Sequence, residues 1–245
     1  MRSGAGGPGH LNDKSNLLRR SGRRWVYCRR EGLEVIEAGL IEEVARSFAV
    51  ALTPDARASL VKFGDLFVTW NRSINLASLR APEELVERHF ADSFALVACA
   101  RAPRSVIDVG SGGGLPAIPA AVLWPEARID LFEPNRKKAA FLRTAARELG
   151  ISGRVTIETS AVEVPVPALL GGRYDLAISR ATMAPGQWLV LGRALIHPRG
   201  EVAVFATQAD LGLPGRARTR DYGNGSRRLL VFGASGDESR GLGPS

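Results

Sequence analysis

A glycine-rich segment holds the residues of this 245-residue chain whose types and spacing best suit ligand chemistry. It reads Asp-Val-Gly-Ser-Gly-Gly-Gly over residues 108–114, directly after the β-favouring run Ser105–Val109. Glycines at a strand-to-helix turn let the backbone bend sharply and let a ligand approach main-chain atoms closely. A dinucleotide fingerprint needs a glycine at position 115, where this chain has Leu115. The segment therefore predicts a ligand site without the pyrophosphate cradle of a dinucleotide enzyme.

The pattern D-x-G-x-G-x-G is the form seen in class I methyltransferases that use S-adenosylmethionine (SAM), which makes Gly110 and Gly112 candidate cofactor contacts. Glu133 ends the next predicted strand, 23 residues beyond Gly110. At that place its carboxylate can accept hydrogen bonds from both hydroxyl groups of a ribose. NAD-dependent enzymes use an acid in the same way, so a dehydrogenase stays open as the alternative. A glycine-rich turn that binds nothing is the other alternative.

The segment after the third predicted strand is a further candidate contact. Val162 and Glu163 lie where such folds bring the chain to the adenine, and their backbone could meet the purine edge. A generic surface loop explains the same residues equally well.

The elements around these residues alternate between strand and helix, which predicts an α/β fold. Predicted strands cover 105–109, 128–132, 154–157, 174–179, 201–205 and 228–232, and predicted helices cover 117–123, 136–149 and 187–195. Such alternation predicts a mostly parallel, Rossmann-like sheet with helices on both faces, and ligands of these sheets bind at the carboxyl ends of the strands.

The region before the sheet is predicted to be helical. Apolar residues recur at helical spacing over 33–50, Thr53-Pro54 opens a second helix, and Ala81-Pro82 opens a third. Residues 1–30 lack any apolar period and are predicted to be a disordered basic extension. We therefore expect four parts: the extension 1–30, a helical region 31–101, a SAM-binding domain 102–235 and a disordered tail 236–245.

The helical region carries motifs that resemble a known family. They are W-N-R-S-I-N-L over 70–76 and R-H-F-A-D-S over 88–93, followed by L-P-A-I-P over 115–119 and S-R-A over 179–181. Together they resemble RsmG (GidB), the family of bacterial small-subunit rRNA guanine-N7 methyltransferases, over roughly residues 50–205. The resemblance implies a class I SAM-dependent methyltransferase fold, SAM as cofactor, and 16S rRNA or the assembled small subunit as partner. We expect a cytoplasmic monomer without membrane attachment.

By this resemblance, SAM is contacted by Gly110, Leu115, Val162, Glu163 and Arg180. An arginine at the rim of the site suits the cofactor carboxylate or an RNA phosphate, because its planar fork donates two hydrogen bonds. The alternative for Arg180 is a surface ion pair.

Candidate substrate contacts in the resembling region are Asn71, Arg88 and His89. Guanine N7 carries a lone pair and no proton, so the reaction needs alignment rather than a general base, and we expect no catalytic residue. The competing interpretation gives His89 a structural hydrogen bond, and makes Asn71 and Asn75 fix the helix–loop geometry.

Two departures from the family pattern affect the substrate side. The chain has Ala206-Thr207 where the family usually has Lys-Gly after the fifth strand. The family also normally has a helix and another strand before its last strand. Here only the 21 residues 207–227 precede the last predicted strand, which indicates a hairpin that turns at Gly223-Asn224-Gly225. These departures keep two alternatives open: a diverged paralogue that methylates another RNA or a small molecule, and an inactive RNA-binding module.

The charge is concentrated at the ends of the chain, and the composition excludes other classes of protein. The formal net charge is +8, but residues 1–30 contribute +7 and residues 212–245 contribute +3, so 31–211 carries −2. The basic character thus belongs to the ends of the chain. Two cysteines without a C-x-x-C motif predict neither a disulfide framework nor a metal site, and the longest apolar run is too short for a membrane helix.

Overall fold

The computed structural model describes residues 16–21, 24–29, 36–162, 164–207 and 212–234, and the structural statements below concern these residues. The chain divides into two compact units, Met1–Glu34 and Val35–Ser245. The predicted tail 236–245 lies outside the described residues.

The first unit contains an antiparallel hairpin. Its strands are β1 (Asn16–Ser21) and β2 (Arg24–Arg29), and Asn16 pairs with Arg29. This differs from the disorder expected for 1–30. The run Trp-Val-Tyr over residues 25–27 consists of strongly β-favouring residues, a signal that the basic composition masks. The rest of the extension lies outside the described residues.

The second unit is built on a seven-stranded sheet. The strands are β3 (Ser105–Val109), β4 (Arg128–Phe132), β5 (Val155–Glu158), β6 (Tyr174–Ser179), β7 (Ile196–Thr207), β8 (Ala217–Tyr222) and β9 (Arg227–Gly233). Their order across the sheet is β5-β4-β3-β6-β7-β9-β8, and β9 is the one strand of this sheet that runs in the direction opposite to the others. The predicted α/β fold with a mostly parallel sheet is confirmed.

The register of the central strands brings the candidate residues together. Val109 at the end of β3 pairs with Phe132 at the end of β4, so the glycine loop and Glu133 leave the sheet side by side. The strand order changes direction at β3, with β4 on one side and β6 on the other. Ligands of open parallel sheets bind at such a switch point.

Helices cover the sheet and precede it. They are α1 (Ala38–Ser47), α2 (Pro54–Ile74), α3 (Ala91–Cys99), α4 (Ala117–Leu123), α5 (Arg136–Glu148) and α6 (Pro185–Leu195), and a π-helical segment (Leu85–Phe90) leads into α3. The predicted start of α2 is confirmed, because the Thr53 hydroxyl accepts a hydrogen bond from Ala56 N at 3.1 Å and Pro54 follows. The third predicted helix begins with π-helical rather than α-helical turns.

The helical region packs directly on the sheet domain. Phe63, Phe67 and Trp70 of α2 contact Phe141 of α5, with ring centroids 5.7–6.2 Å apart. The described part of the helical region, from residue 36 onward, therefore shares one core with the sheet domain.

The end of the sheet is the hairpin that the turn residues predict. β8 and β9 pair antiparallel around Gly223, Asn224 and Gly225, which all have positive φ angles, between 56° and 76°. Glycine and asparagine tolerate this left-handed backbone better than other residues. Since β8 is present, the sheet has seven strands despite the short connection.

One strand is longer than its pattern predicts. β7 begins at Ile196 rather than at 201, although Pro198 and Gly200 normally break a strand. A register shift between Tyr174 and Leu176 of the partner strand β6 accommodates the extra residues.

Candidate functional site

The glycine loop forms the floor of the candidate site between β3 and α4. The amides of Gly110 and Ser111 donate to the carbonyl of Phe132 at 2.9 and 3.1 Å, which fixes the loop to the end of β4. Gly110 has φ +75°, and a Cβ there would lie 2.3 Å from the Thr182 hydroxyl. Gly112 has φ +57°, and a Cβ there would meet nothing nearer than 3.9 Å. The loop thus leaves open space beside Gly112 for a ligand.

Glu133 lies beside this space. Its side chain is buried, and its two carboxylate oxygens accept hydrogen bonds from the amides of Gly112 and Asn135, at 2.7 and 2.8 Å. A carboxylate has about four acceptor positions, so each oxygen retains one for a hydroxyl group of a ligand. The backbone contacts hold the carboxylate ready for two such hydroxyls.

Asp108 is a buried carboxylate without a full set of partners. Its Oδ2 makes no hydrogen bond with the described residues, and burial raises the pKa of Asp108 to about 7. An ionised carboxylate in such a place is costly unless a cation or a donor compensates it. The site therefore suits a ligand that carries positive charge or hydrogen-bond donors.

Arg180 follows β6 and is partly buried. Its Nη1 donates to Asp92 Oδ2 at 2.8 Å and lies 2.7 Å from His89 Nδ1, and its Nε donates to the carbonyl of Leu115 at 3.3 Å. Its Nη2 makes no hydrogen bond with the described residues. The structure thus shows an ion pair of Arg180, as the alternative predicted, but with the buried Asp92 rather than at the surface; the contact of Arg180 with a ligand stays a prediction.

His89 is held in its neutral form. Burial, together with the charges of Arg180, Arg88 and Arg227, lowers the pKa of His89 to about 3. Because an arginine only donates, His89 Nδ1 accepts from Arg180 and the ring proton belongs on Nε2. That Nε2 is buried and has no partner among the described residues. His89 can therefore donate a hydrogen bond, but it is not poised to carry a proton at neutral pH.

Asp92 links this cluster to the last hairpin, a connection that the sequence does not predict. Its Oδ1 accepts from the Tyr222 hydroxyl at 2.7 Å and from Arg227 Nη1 at 2.9 Å. Arg227 also donates to the backbone carbonyls of Glu87 and Arg88, and its guanidinium lies 4.7 Å from the Tyr222 ring centroid. The only signal in the sequence is the position of Asp92 inside the R-H-F-A-D-S motif.

The other predicted residues have separate roles. Asn71 fixes the turn after α2, since its Oδ1 accepts from Leu76 and Ala77 N and its Nδ2 donates to Ala77 O. Arg88 is exposed, with Glu84 at 3.9 Å. Val162 is partly buried against the hydrophobic core of the sheet. Glu163 lies outside the described residues.

The described residues contain neither a candidate metal site nor a candidate membrane-spanning helix. They contain no group of three or more His, Cys, Asp or Glu residues that could hold a metal ion. Within the same part of the chain, no helix is both long and apolar enough to cross a membrane.

The fold and the site together define the class of protein. A seven-stranded sheet of this order, with a glycine loop and an acid at neighbouring strand ends, is that of a SAM-dependent methyltransferase. The family model described as "rRNA small subunit methyltransferase G" matches residues 56–211, which include every described candidate residue of the site. The chain belongs to this family.

Individual relatives agree with the family match. The chain is 33% identical over 214 residues to ribosomal RNA small subunit methyltransferase G of Pseudomonas aeruginosa (strain LESB58), covering 78% of this chain and 94% of that relative. It is 31% identical over 195 residues to the protein of the same name from Myxococcus xanthus (strain DK1622), covering 79% and 89%. A SAM-dependent methyltransferase from Aquifex aeolicus superimposes with a TM-score of 0.45 at 14% identity, over 60% of this chain and 92% of that chain.

The described residues fit the cofactor of this class. SAM carries a sulfonium and an ammonium group, a carboxylate and a ribose. Asp108 offers an uncompensated buried carboxylate for a cation, Glu133 offers paired acceptors for hydroxyls, and Gly112 leaves the space in which a Cβ would otherwise stand. Arg180 offers a free nitrogen for a carboxylate.

Proposed function

We propose that this protein transfers a methyl group from SAM to N7 of a guanine in 16S rRNA. The observation that carries the proposal is the family match over residues 56–211, because it spans both the helical region and the candidate cofactor site. The geometry of the glycine loop and Glu133 supports the same cofactor.

In this proposal SAM is held by residues that follow four strands, β3, β4, β5 and β6. They are Gly110, Gly112, Leu115, Glu133, Val162, Glu163 and Arg180. Glu133 accepts from the ribose hydroxyls, the backbone of Val162 and Glu163 meets the adenine, and Arg180 Nη2 binds the cofactor carboxylate. We add Asp108, which faces positive charge of the cofactor from below the loop.

The chemistry asks for alignment rather than proton transfer. The cofactor supplies an electrophilic methyl group, and guanine N7 supplies a lone pair without a proton to remove. The protein holds the two reactants in line and excludes water, which accounts for most of the acceleration of such a reaction. The neutral His89 fits this scheme, since a group with a pKa of about 3 is not a proton carrier at neutral pH.

Substrate contacts lie next to the cofactor residues. We assign His89 and Arg88 to the rim that meets the target nucleotide, Arg88 through its exposed guanidinium and His89 through the hydrogen bond by which it orients Arg180. Asn71 has a structural role in this proposal, because all its described hydrogen bonds go to the adjacent turn. We further propose that the protein is a cytoplasmic monomer.

Methyl transfer to purified small subunits and to naked 16S rRNA tests the function. With labelled SAM, we expect about one methyl group per particle on rRNA from a strain that lacks this protein, and 7-methylguanosine in the digested RNA. Glu133→Gln should weaken SAM binding by roughly tenfold because an amide replaces one of the two acceptor oxygens with a donor. Glu43→Gln, an exposed carboxylate on α1, serves as the matched control.

The second candidate is a diverged paralogue with another substrate, and Ala206-Thr207 at the end of β7 favours it. Normal SAM binding with no methylation of either RNA would support this candidate and contradict the first. Absence of SAM binding together with retained RNA binding would instead identify a non-catalytic RNA-binding module.

A further inference from the structure

The amino ends of the parallel strands form the edge of the sheet opposite the candidate cofactor site, and this edge carries a row of arginines. Each of the five strands in the parallel part of the sheet has an arginine at or near its amino end: Arg154, Arg128, Arg104, Arg173 and Arg199, in the order of the strands β5-β4-β3-β6-β7. Neighbouring strands lie about 4.8 Å apart, so these residues follow one another along a single edge. Four of them are exposed, and Arg154 instead donates to three backbone carbonyls, one within α4 and two just after it.

Part of this row lines a cleft. Arg101, Arg104 and Arg199 border a cavity of about 350 Å³ together with Asp175, His197 and Glu201. The guanidinium groups of Arg104 and Arg199 make no hydrogen bond or ion pair with the described residues. Two cations thus face one cleft without a partner in the described part of the protein.

Among the described residues, neither carboxylate of the cleft forms an ion pair with the guanidinium groups of Arg104 and Arg199, because both carboxylates have other partners. Asp175 accepts from the amides of Arg104 and Ser105 at 2.8 Å each, and from His197 Nε2 at 2.7 Å. Those hydrogen bonds lower the pKa of Asp175 despite its partial burial.

Glu201 is engaged in the same way. It accepts from the backbone amide of Arg101 at 3.0 Å and from the side chain of that arginine, and it accepts from Arg218 Nη2 at 2.8 Å. With Glu201 shared by two arginines, Arg104 and Arg199 remain free to bind an anion from outside.

We propose that this edge is a second RNA contact surface that binds the phosphate backbone, and this inference rests on the proposed function. The row consists of arginines without a lysine, and the guanidinium fork matches the geometry of a phosphate. Residues 31–211 carry a net charge of only −2, so attraction of a polyanion to this part of the chain depends on such local concentrations of charge. The cofactor is not involved, because the edge lies at the amino ends of the strands and the cofactor site at their carboxyl ends.

The test is RNA binding by the full chain with Arg104→Gln and Arg199→Gln combined. The probes are naked 16S rRNA and purified small subunits, over a range of salt concentrations. We expect roughly tenfold weaker binding to both, and a salt dependence of the logarithm of the affinity that is flatter by about two, since each arginine neutralises about one phosphate. SAM affinity, measured by calorimetry, should not change.

A control variant separates this edge from a general effect of charge. Arg46→Gln with Arg143→Gln removes the same charge from exposed positions on α1 and α5. Equal weakening by the control pair, or unchanged RNA binding by the edge pair, would overturn the inference. Normal binding to naked rRNA with abolished binding to small subunits would assign the edge to a ribosomal protein and overturn it as well. If the parent protein binds neither probe, the proposed function itself fails.

Discussion

Two buried aspartates show how differently one residue type behaves in this protein. Asp92 is almost fully buried, and it is paired with Arg180, Arg227 and the Tyr222 hydroxyl. Asp108 is buried as well, but its Oδ2 has no partner among the described residues. The partners of Asp92 compensate the burial of its carboxylate, whereas Asp108 lacks such compensation at Oδ2, so that its ionisation is costly.

The pH dependence of stability should reveal Asp108. Its pKa is about 7 in the folded protein against about 3.9 in an unfolded chain, so the folded state holds the extra proton between these values. The free energy of unfolding therefore falls as the pH rises through this window, by at most roughly 1.4 kcal/mol per pH unit. Asp108→Asn removes this decrease, and its advantage over the parent in urea unfolding should be larger at pH 8 than at pH 5.

Measurements without SAM isolate this effect from cofactor binding. Glu43→Gln, which changes an exposed carboxylate, should show the same difference from the parent at both pH values. If the free energies of unfolding of Asp108→Asn and the parent differ by the same amount at pH 5 and pH 8, the carboxyl group is not protonated in the folded protein.

At the scale of elements, helix α2 and the last hairpin hold the site from two sides. α2 places Phe67 against the glycine loop, where a Cβ on Gly113 would lie 2.5 Å from the Phe67 ring. On the other side, Arg227 and Tyr222 fasten β8 and β9 to Asp92 and, through it, to Arg180. Both elements therefore contact residues of the candidate site.

Gly113→Ala tests the docking of α2. The φ angle of Gly113 is not positive, so the substitution adds a steric conflict with a buried ring rather than backbone strain. We expect a decrease of about 1–3 kcal/mol in the free energy of unfolding and weaker SAM binding, because the loop must shift. Gly153→Ala is the control, since a Cβ there meets nothing within 4 Å. Equal stability of the two variants in chemical denaturation would show that the loop tolerates the helix at a greater distance.

At the scale of the whole molecule, charge and chemistry reside in different parts. Residues 1–30 contribute +7 to a net charge of +8, and Met1–Glu34 forms a compact unit of its own. The described site residues all belong to the second unit. Attraction to RNA can thus be strengthened by the first unit without any change in cofactor binding.

Deletion of residues 1–34 tests this separation. We expect unchanged SAM affinity in calorimetry, and rRNA binding that is weaker and less dependent on salt, because cationic side chains that neutralise phosphates are removed. A chain that lacks only residues 1–15 serves as the intermediate control. A large decrease in SAM affinity after the deletion would contradict the proposal that the extension is independent of the site.

Local patterns in the sequence were sufficient to predict one part of this protein. Strand–helix alternation predicted the parallel sheet, Thr53-Pro54 predicted the start of α2, and the residues at 223–225 predicted the last turn. These signals can be read from the chain because caps, turns and apolar periods involve residues that are close in sequence. The motifs likewise brought Glu133, Arg180 and His89 to attention.

How those residues work together depends on contacts that form only in the folded chain. Asp92 lies 88 residues before Arg180 and 135 before Arg227, and no local pattern specifies such pairs. Burial raises the pKa of Asp108, and burial together with neighbouring arginines lowers the pKa of His89, which the order of residues does not reveal. The arginine row on the opposite edge arises in the same way, because parallel strands align residues that are tens of positions apart in the chain.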